Sequence, residues 1–323
     1  MATIFHIVKA CCIIFQEGEM MAVRNSEFNS ASSLMATGDA ASSNTMALVI
    51  DVQDFARMDA ADARNYAEHL ASNLTALRES GVPVTWVTMR KDAQLYEPTP
   101  SASDSAPQVR NLDQLREMGF HGIDADHENS EIFRDFITNF GPRTDEAVSV
   151  KSVKSALVER ADAEGRPDYQ NALAAECGEA FDTYFTGGKT LAEYMGDVDN
   201  TILMGAVSSH CISETAVSAA IKGRNPVIVT DAVLSWQGDD ALVNPRSSVQ
   251  LWRGTGGDSA NFDAFHQGKM NAAISSIVSD DRRGFTSDQV AAISNIGFVS
   301  SAALVPQLRS TGSASGATYQ PII

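Results

Sequence analysis

The sequence predicts a three-layer α/β/α domain built on a central six-stranded parallel sheet, and three observations predict it. Short apolar runs alternate with longer segments of helical period, which is how a parallel sheet flanked by crossover helices reads. Several of those runs stop on a polar, chemically able residue, as expected at the ligand-facing edge of such a sheet. The third observation is bulk: 323 residues, 44% hydrophobic and 20% charged, suffice for one large core-forming domain.

Taken in order, residues 46–50 (Met-Ala-Leu-Val-Ile) form the first expected strand and deliver Asp51. A helix is expected over 59–80, because Ala63, Ala67, Leu70, Leu74 and Leu77 share one face. Gly81 closes it, and 82–87 reads as the second strand. A long excursion over 90–142 holds a helical segment near 131–140, and 147–150 is a third strand that ends at Lys151. The fourth strand is 201–204, followed by a turn and a helix over 211–222 that stops at Gly223. Residues 227–230 form the fifth strand, ending at Asp231; a helix over 289–295 then leads into the sixth, 297–300. Three segments follow: a Ser/Ala/Asn-rich leader over 1–45, a single α/β domain over 46–305 with an insertion at about 158–184, and a flexible tail over 306–323.

The charge arithmetic narrows the partners. Twenty-four basic against 41 acidic residues leave a net charge of −17, the wrong sign for a phosphate backbone or an anionic membrane surface. No stretch approaches the ~20 apolar residues that span a bilayer. Four cysteines, Cys11, Cys12, Cys177 and Cys211, lack CxxC or zinc spacing, so reduced thiols in a cytoplasmic setting are expected, with an N-terminal targeting segment as the alternative. Gly187-Gly-Lys189-Thr190 ends like a phosphate loop, but the required first glycine is Thr183. Gly254-Thr-Gly-Gly257 reads as a loop, and no GxSxG elbow occurs.

The chemistry gathers at the strand ends. Cys211 follows a strand, Gly205 and a turn, and opens a helix, where the positive end of the dipole favours a thiolate. Unpaired N–H groups of a first helical turn can hold an oxyanion beside the sulfur. The alternative is a small apolar Cys that packs the helix on the sheet. Asp51 reads as a general base or a helix cap, and Lys151 as a paired amine or a solvated rim lysine. Together the acid, amine and thiol make a nucleophile–base–orienter set, with Lys151, Lys154 or Arg90 and the helix terminus expected to set a positive local potential.

The run Gly205-Ala-Val-Ser-Ser-His-Cys211-Ile-Ser-Glu-Thr215-Ala216, with Gly223 and Asp231-Ala232 beyond it, resembles the signature of the isochorismatase-like cysteine hydrolases. Asp51-Val-Gln53-Asp-Phe55 is similar to that family's first-strand motif, and Lys151-Ser-Val-Lys154-Ser155-Ala156-Leu157 to its K-x-x-x-S-A-F motif. The resemblance spans about 46–304 and implies a Rossmann-like three-layer fold with Asp51, Lys151 and Cys211 as a catalytic triad. It also implies a cis peptide at Ala206–Val207, in a turn with Ser208, that serves the oxyanion. Departures are Ser208 where the family has Thr, Leu157 where it has Phe, and the insertion, read either as a lid or subunit contact or as a surface elaboration. Lys154 is a rival for the catalytic amine, but only Lys151 has the four-residue spacing to Ser155.

Nicotinamidases of that family carry a zinc site after the second strand. Here that stretch is Thr88-Met-Arg90-Lys-Asp92, and His69, His121 and His127 have no ligand-like spacing to it, so no metal and no cofactor are expected. A nucleophilic Cys211 points to hydrolysis of a small amide, ureide or carbamoyl compound through a thioester. The alternatives are vinyl-ether hydrolysis with Asp51 as general acid, and a non-catalytic binding or scaffold member of the fold. Gln53, Phe55, Arg90 and His210 are the candidate substrate contacts, Arg90 as a carboxylate anchor. The partners expected are a small-molecule substrate and further copies of the chain in a homo-oligomer, with residues 250–265 as the guessed contact.

Overall fold

The computed structural model describes residues 44–55, 58, 60–90, 94–99, 106–151, 154–157, 189–235, 246–247 and 262–312. The leader up to residue 43, the insertion over 158–184, Cys11, Cys12, Cys177 and the glycine-rich 254–257 turn lie outside these. Eight strands form one sheet among the described residues: β1 (Thr45–Ile50), β2 (Val84–Met89), β3 (Gln94–Tyr96), β4 (Ala147–Lys151), β5 (Asn200–Ala206), β6 (Asn225–Ser235), β7 (Arg246–Ser247) and β8 (Gly297–Val299). Their order is β3-β4-β2-β1-β5-β6-β7, with β8 also on β6. The six expected strands are β1, β2, β4, β5, β6 and β8, and every pairing among them is parallel. The two strands not foreseen, β3 and β7, are two or three residues long and antiparallel, too short to give a period in sequence.

The chain winds outward from β1 through β2 to β4, then returns to the other side of β1 as β5 and continues to β6 and β8. The direction of winding therefore reverses between β1 and β5. Such a reversal is where loops leaving the carboxyl ends of a doubly wound sheet diverge and ligands are expected to bind. Strand register keeps the two sheet faces distinct. Ala47, Val49, Trp86 and Val148 face a core shared with α1 (Ala60–Glu79), α2 (Leu112–Glu117), α3 (Ser130–Phe140) and α8 (Ser301–Gly312). Leu48, Ile50, Val87 and Leu203 face the other core, shared with α4 (Leu191–Met195), α5 (Ser213–Ile221), α6 (Phe262–Val278) and α7 (Ser287–Ile293).

Several boundaries move for identifiable reasons. The second strand begins at Val84 rather than 82, because Val82 donates to Leu77 O to close α1 and Pro83 has no N–H to give. The fifth strand runs past Asp231 to Ser235: its first part pairs β8 and its last two residues pair β7. Asp231 accepts from Ser301 N (2.8 Å) and Ser301 Oγ (2.7 Å), so it holds the start of α8 rather than the end of a strand. The tail expected from 306 is helical to Gly312, with Leu304, Val305 and Leu308 buried; Pro306 hides that helix in the sequence. α6 was likewise not foreseen, although Met270, Ile274 and Ile277 recur at helical spacing and are buried. The contact guessed for 250–265 falls outside the described residues up to 261. No helix among the described residues is long and apolar enough to cross a membrane.

Candidate active site

The carboxyl end of β1 turns sharply at Asp51, whose φ is +53°. Aspartate tolerates this left-handed region better than most residues, and the turn breaks the strand's in–out alternation. Gly205 of β5 lies alongside at φ +120°, where a Cβ would stand 2.0 Å from Ile50 O. Only glycine lets the two strands approach so closely. The peptide Ala206–Val207 that follows is cis. The chain then enters a π-type turn, Ser208–Ile212, before α5.

Lys151 closes β4 and is 3% exposed. Its Nζ donates to Asp51 Oδ2 at 2.8 Å and to Cys211 Sγ at 3.3 Å. Three side chains separated by 100 and 60 positions along the chain thus meet through one ammonium. Burial alone would push the Lys151 pKa down, but Asp51 and then Cys211 outweigh it and raise it above the ordinary lysine value. The ammonium is therefore charged throughout the physiological range. Lys154, its rival, is exposed and takes no place in this cluster.

Cys211 is 8% exposed, and its thiol is pushed up to about 12, first by burial and then by the Asp51 carboxylate; Lys151 pulls the other way and loses. This corrects the expectation of a local positive potential that favours a thiolate. Nor is Cys211 at a bare helix start. It lies inside the π-type turn, and the N–H groups of His210 and Ile212 are both spent on Val207 O, at 3.1 and 3.2 Å. Asp51 Oδ1 is buried without a hydrogen-bond partner. The resting arrangement is a thiol and an ammonium around a carboxylate that has one oxygen to spare.

The segment that follows Lys151 is fastened to α5, the helix that follows Cys211. Ser155 Oγ donates to Ser218 Oγ (2.8 Å), Thr215 Oγ1 accepts from Ala156 N (3.0 Å), and Ser155 Oγ accepts from Leu157 N (3.1 Å). Glu214, three residues past the cysteine, makes a buried bidentate pair with Arg283 at 2.7 and 2.6 Å. The sequence reading gave Glu214 and Ser218 no role. A buried-looking run, Cys211 to Ala220, that contains an acid was the signal that it needs a partner.

The four candidate substrate contacts fare differently. Gln53 is 6% exposed, and its amide is used up on backbone: Nε2 donates to Gly119 O (2.6 Å) and Met89 O (3.2 Å), and Oε1 accepts from Met89 N (2.8 Å). It clamps loops rather than reaching a ligand. Phe55 is fully buried among Tyr66, Phe133 and Phe136, with ring centroids 5.8, 5.1 and 5.6 Å away, and so is core. Arg90 is exposed, but its guanidinium donates to Glu117 O and its stem lies over Gly119, on the α2 side of the sheet, away from Cys211. His210 is partly buried beside Ser209 Oγ (2.8 Å), and burial, then Lys154, lowers its pKa. Ser208 is 6% exposed, and its carbonyl accepts from the Ser213 hydroxyl.

Two histidines come to the loop after β1 despite their remote positions in sequence. His127 Nε2 lies 2.7 Å from Asp54 Oδ1, while its Nδ1 accepts from Asn129 N at 3.1 Å. A ring nitrogen that accepts has no proton, so the neutral ring carries it on Nε2 and donates to Asp54. His121 Nε2 stands 4.0 Å from Asp54 Oδ2. With Asn129 Nδ2 on the carbonyls of Phe55 and Met58, and Gly122 N on Gln53 O, these contacts fix the loop in which Asp51 turns. Among the described residues no group of three or more His, Cys, Asp or Glu side chains is arranged to hold a metal ion.

No protein-family model and no curated protein matches the chain. Among solved structures it is similar to a cysteine hydrolase from Pseudomonas syringae pv. phaseolicola, at 15% identity and a TM-score of 0.37, over 83% of this chain and 93% of that one. An isochorismatase from Pseudomonas putida is similar at 15% identity and a TM-score of 0.37, over 80% and 89%. An N-carbamoylsarcosine amidase from Thermoplasma acidophilum is similar at 16% identity and a TM-score of 0.34, over 66% and 93%.

Proposed function

We propose that the chain is an isochorismatase-like cysteine hydrolase that cleaves a C–N bond of a small amide, ureide or carbamoyl compound through a thioester on Cys211. The observation that carries this reading is the single buried ammonium of Lys151, hydrogen-bonded to both Asp51 and Cys211. A thiol held near 12 does not attack as a preformed thiolate, so the proton leaves as the S–C bond forms. Asp51 takes it, and its unpartnered Oδ1 is the oxygen able to do so. Lys151 stabilises the charge that grows on sulfur and, through its hydrogen bond to Oδ2, holds the Asp51 carboxylate in position.

The tetrahedral oxyanion is met by N–H groups of the turn other than those of His210 and Ile212, which the Val207 carbonyl already occupies. Its collapse breaks the C–N bond, and the amine leaves with the proton that Asp51 had taken. Water then attacks the thioester, Asp51 accepts its proton, and the proton passes to sulfur as the acid departs. The enzyme ends as it began, with a thiol and a carboxylate. Arg90, Gln53 and Phe55 drop out of the substrate-binding set in this reading, whereas His210 stays as a group at the mouth of the turn. A homo-oligomer and a cytoplasmic, reducing setting complete the proposal.

The test is an ammonia- and amine-release assay over nicotinamide, ureides, N-carbamoyl amino acids and maleamate, with isochorismate as the counter-case. Turnover of a C–N substrate that falls by at least ~10³-fold in Cys211→Ala is the expected result. Turnover of isochorismate that survives Cys211→Ala and is lost in Asp51→Asn would replace it with the vinyl-ether reading. No turnover of any compound would leave the scaffold reading standing.

A further inference from the structure

The expected anchor, Arg90, and its neighbour Met89 sit on opposite faces of the sheet, and only one of those faces carries Cys211. Parallel strands in register present paired residues on the same side. Met89 pairs with Lys151, as Val87 pairs with Ser149 and with Ile50. Val87, Ile50 and Cys211 belong to one core cluster, so Met89 continues their face one step beyond its edge. Thr88 and Arg90 point the other way, toward Met118 and Glu117.

Met89 is 41% exposed, one of three large apolar residues so exposed among the described part of the chain. The other two, Leu112 and Val290, lie on helices α2 and α7. A lone exposed apolar side chain needs no explanation on a helix surface. Met89 differs in its place: it is beside the buried Lys151 at the carboxyl edge of the sheet, one strand from Asp51. Its backbone is also fixed on both sides, because Gln53 donates to its carbonyl and accepts from its N–H. Gln53, which also donates to Gly119 O, thus holds the backbone of an exposed apolar residue at the carboxyl edge of the sheet.

We propose that Met89 is a specificity-determining residue, an apolar wall on the Lys151 side of the crevice that selects substrates with an apolar group next to the scissile carbonyl. A flexible thioether suits such a wall, since it adapts to rings and chains alike. The proposal rests on Cys211 as the nucleophile, and it names which members of the amide and carbamoyl class fit. Compounds with only polar substituents next to the reacting carbonyl leave Met89 in water and gain nothing from it.

The test uses electrophiles that report on the site without the natural substrate. Full-length protein is treated at pH 8.5 with chloroacetamide or N-benzylchloroacetamide, and labelling of the peptide that carries Cys211 is quantified by mass spectrometry. Rates are divided by those of the same reagents with N-acetylcysteine. The expected result is a preference of about five- to tenfold for the benzyl reagent, the worth of a modest apolar contact. Met89→Gln should remove that preference while the chloroacetamide rate holds, and Met89→Leu should keep it. Labelling of Cys211 by both reagents with no preference, or a preference that survives Met89→Gln, overturns the role of Met89 alone. If neither reagent labels Cys211 in the native protein while both label it after denaturation, the nucleophile reading fails and the proposal falls with it.

Discussion

Cys211 is the residue whose environment most constrains the chemistry. Its thiol is pushed up to about 12 by burial and by Asp51, against the pull of Lys151, so its reactivity in the free protein must rise with pH well beyond neutrality. Alkylation by iodoacetamide should increase close to tenfold per pH unit between 7 and 10, as the thiolate fraction does. Asp51→Asn removes the charge that holds the proton on sulfur, so alkylation at pH 8 should become faster while hydrolysis is lost by about 10³-fold or more. Lys151→Met should slow both. A thiol that alkylates as fast at pH 7 as at pH 9, or more slowly in Asp51→Asn, would contradict the electrostatic account. In the proposed mechanism Asp51 is thus both the brake on the free thiol and the base that releases it during attack.

At the scale of elements, the turn at Cys211 is held by what lies behind it. Glu214 and Arg283 face each other with side chains 4% and 7% exposed, and they join α5 to the 3₁₀ turn Asp281–Arg283 ahead of α7. Breaking a buried pair from one side strands a charge, so Arg283→Met should cost about 3–5 kcal/mol in urea unfolding. The double variant Glu214→Leu/Arg283→Met should recover most of that loss, because a dry pair is worth little more than apolar contact. A single variant as stable as the parent would show that Glu214 finds another partner. The neighbouring fasteners follow the same logic: Ser155, Thr215 and Ser218 tie the end of β4 to α5, and so fix the Lys151–Cys211 distance from outside the site.

For the whole molecule, how far the fold could be read from the chain depended on where physical signals are local. Parallel strands buried on both faces are continuous apolar runs, so all six were legible, and with them Asp51, Lys151 and the turn before Cys211 as residues at one edge. What failed needed register or tertiary pairing. Arg90 and Met89 are adjacent in sequence, and only the pairing of Met89 with Lys151 says which of them faces the thiol. Gln53 and Phe55 follow a left-handed residue, after which strand alternation no longer predicts direction. Asp54 and His127 are 73 positions apart, so no spacing rule could join them. The net charge of −17 is a property of the whole chain and is silent about a site whose decisive groups are one ammonium, one carboxylate and one thiol. The central claim is that this cluster forms a thioester. It is tested most directly by quenching turnover with acid within the first second and reading the mass of the Cys211 peptide. The account predicts an acyl adduct on that peptide that hydroxylamine removes and that Cys211→Ala lacks; steady turnover with an unmodified Cys211 and full activity in Cys211→Ala would contradict it.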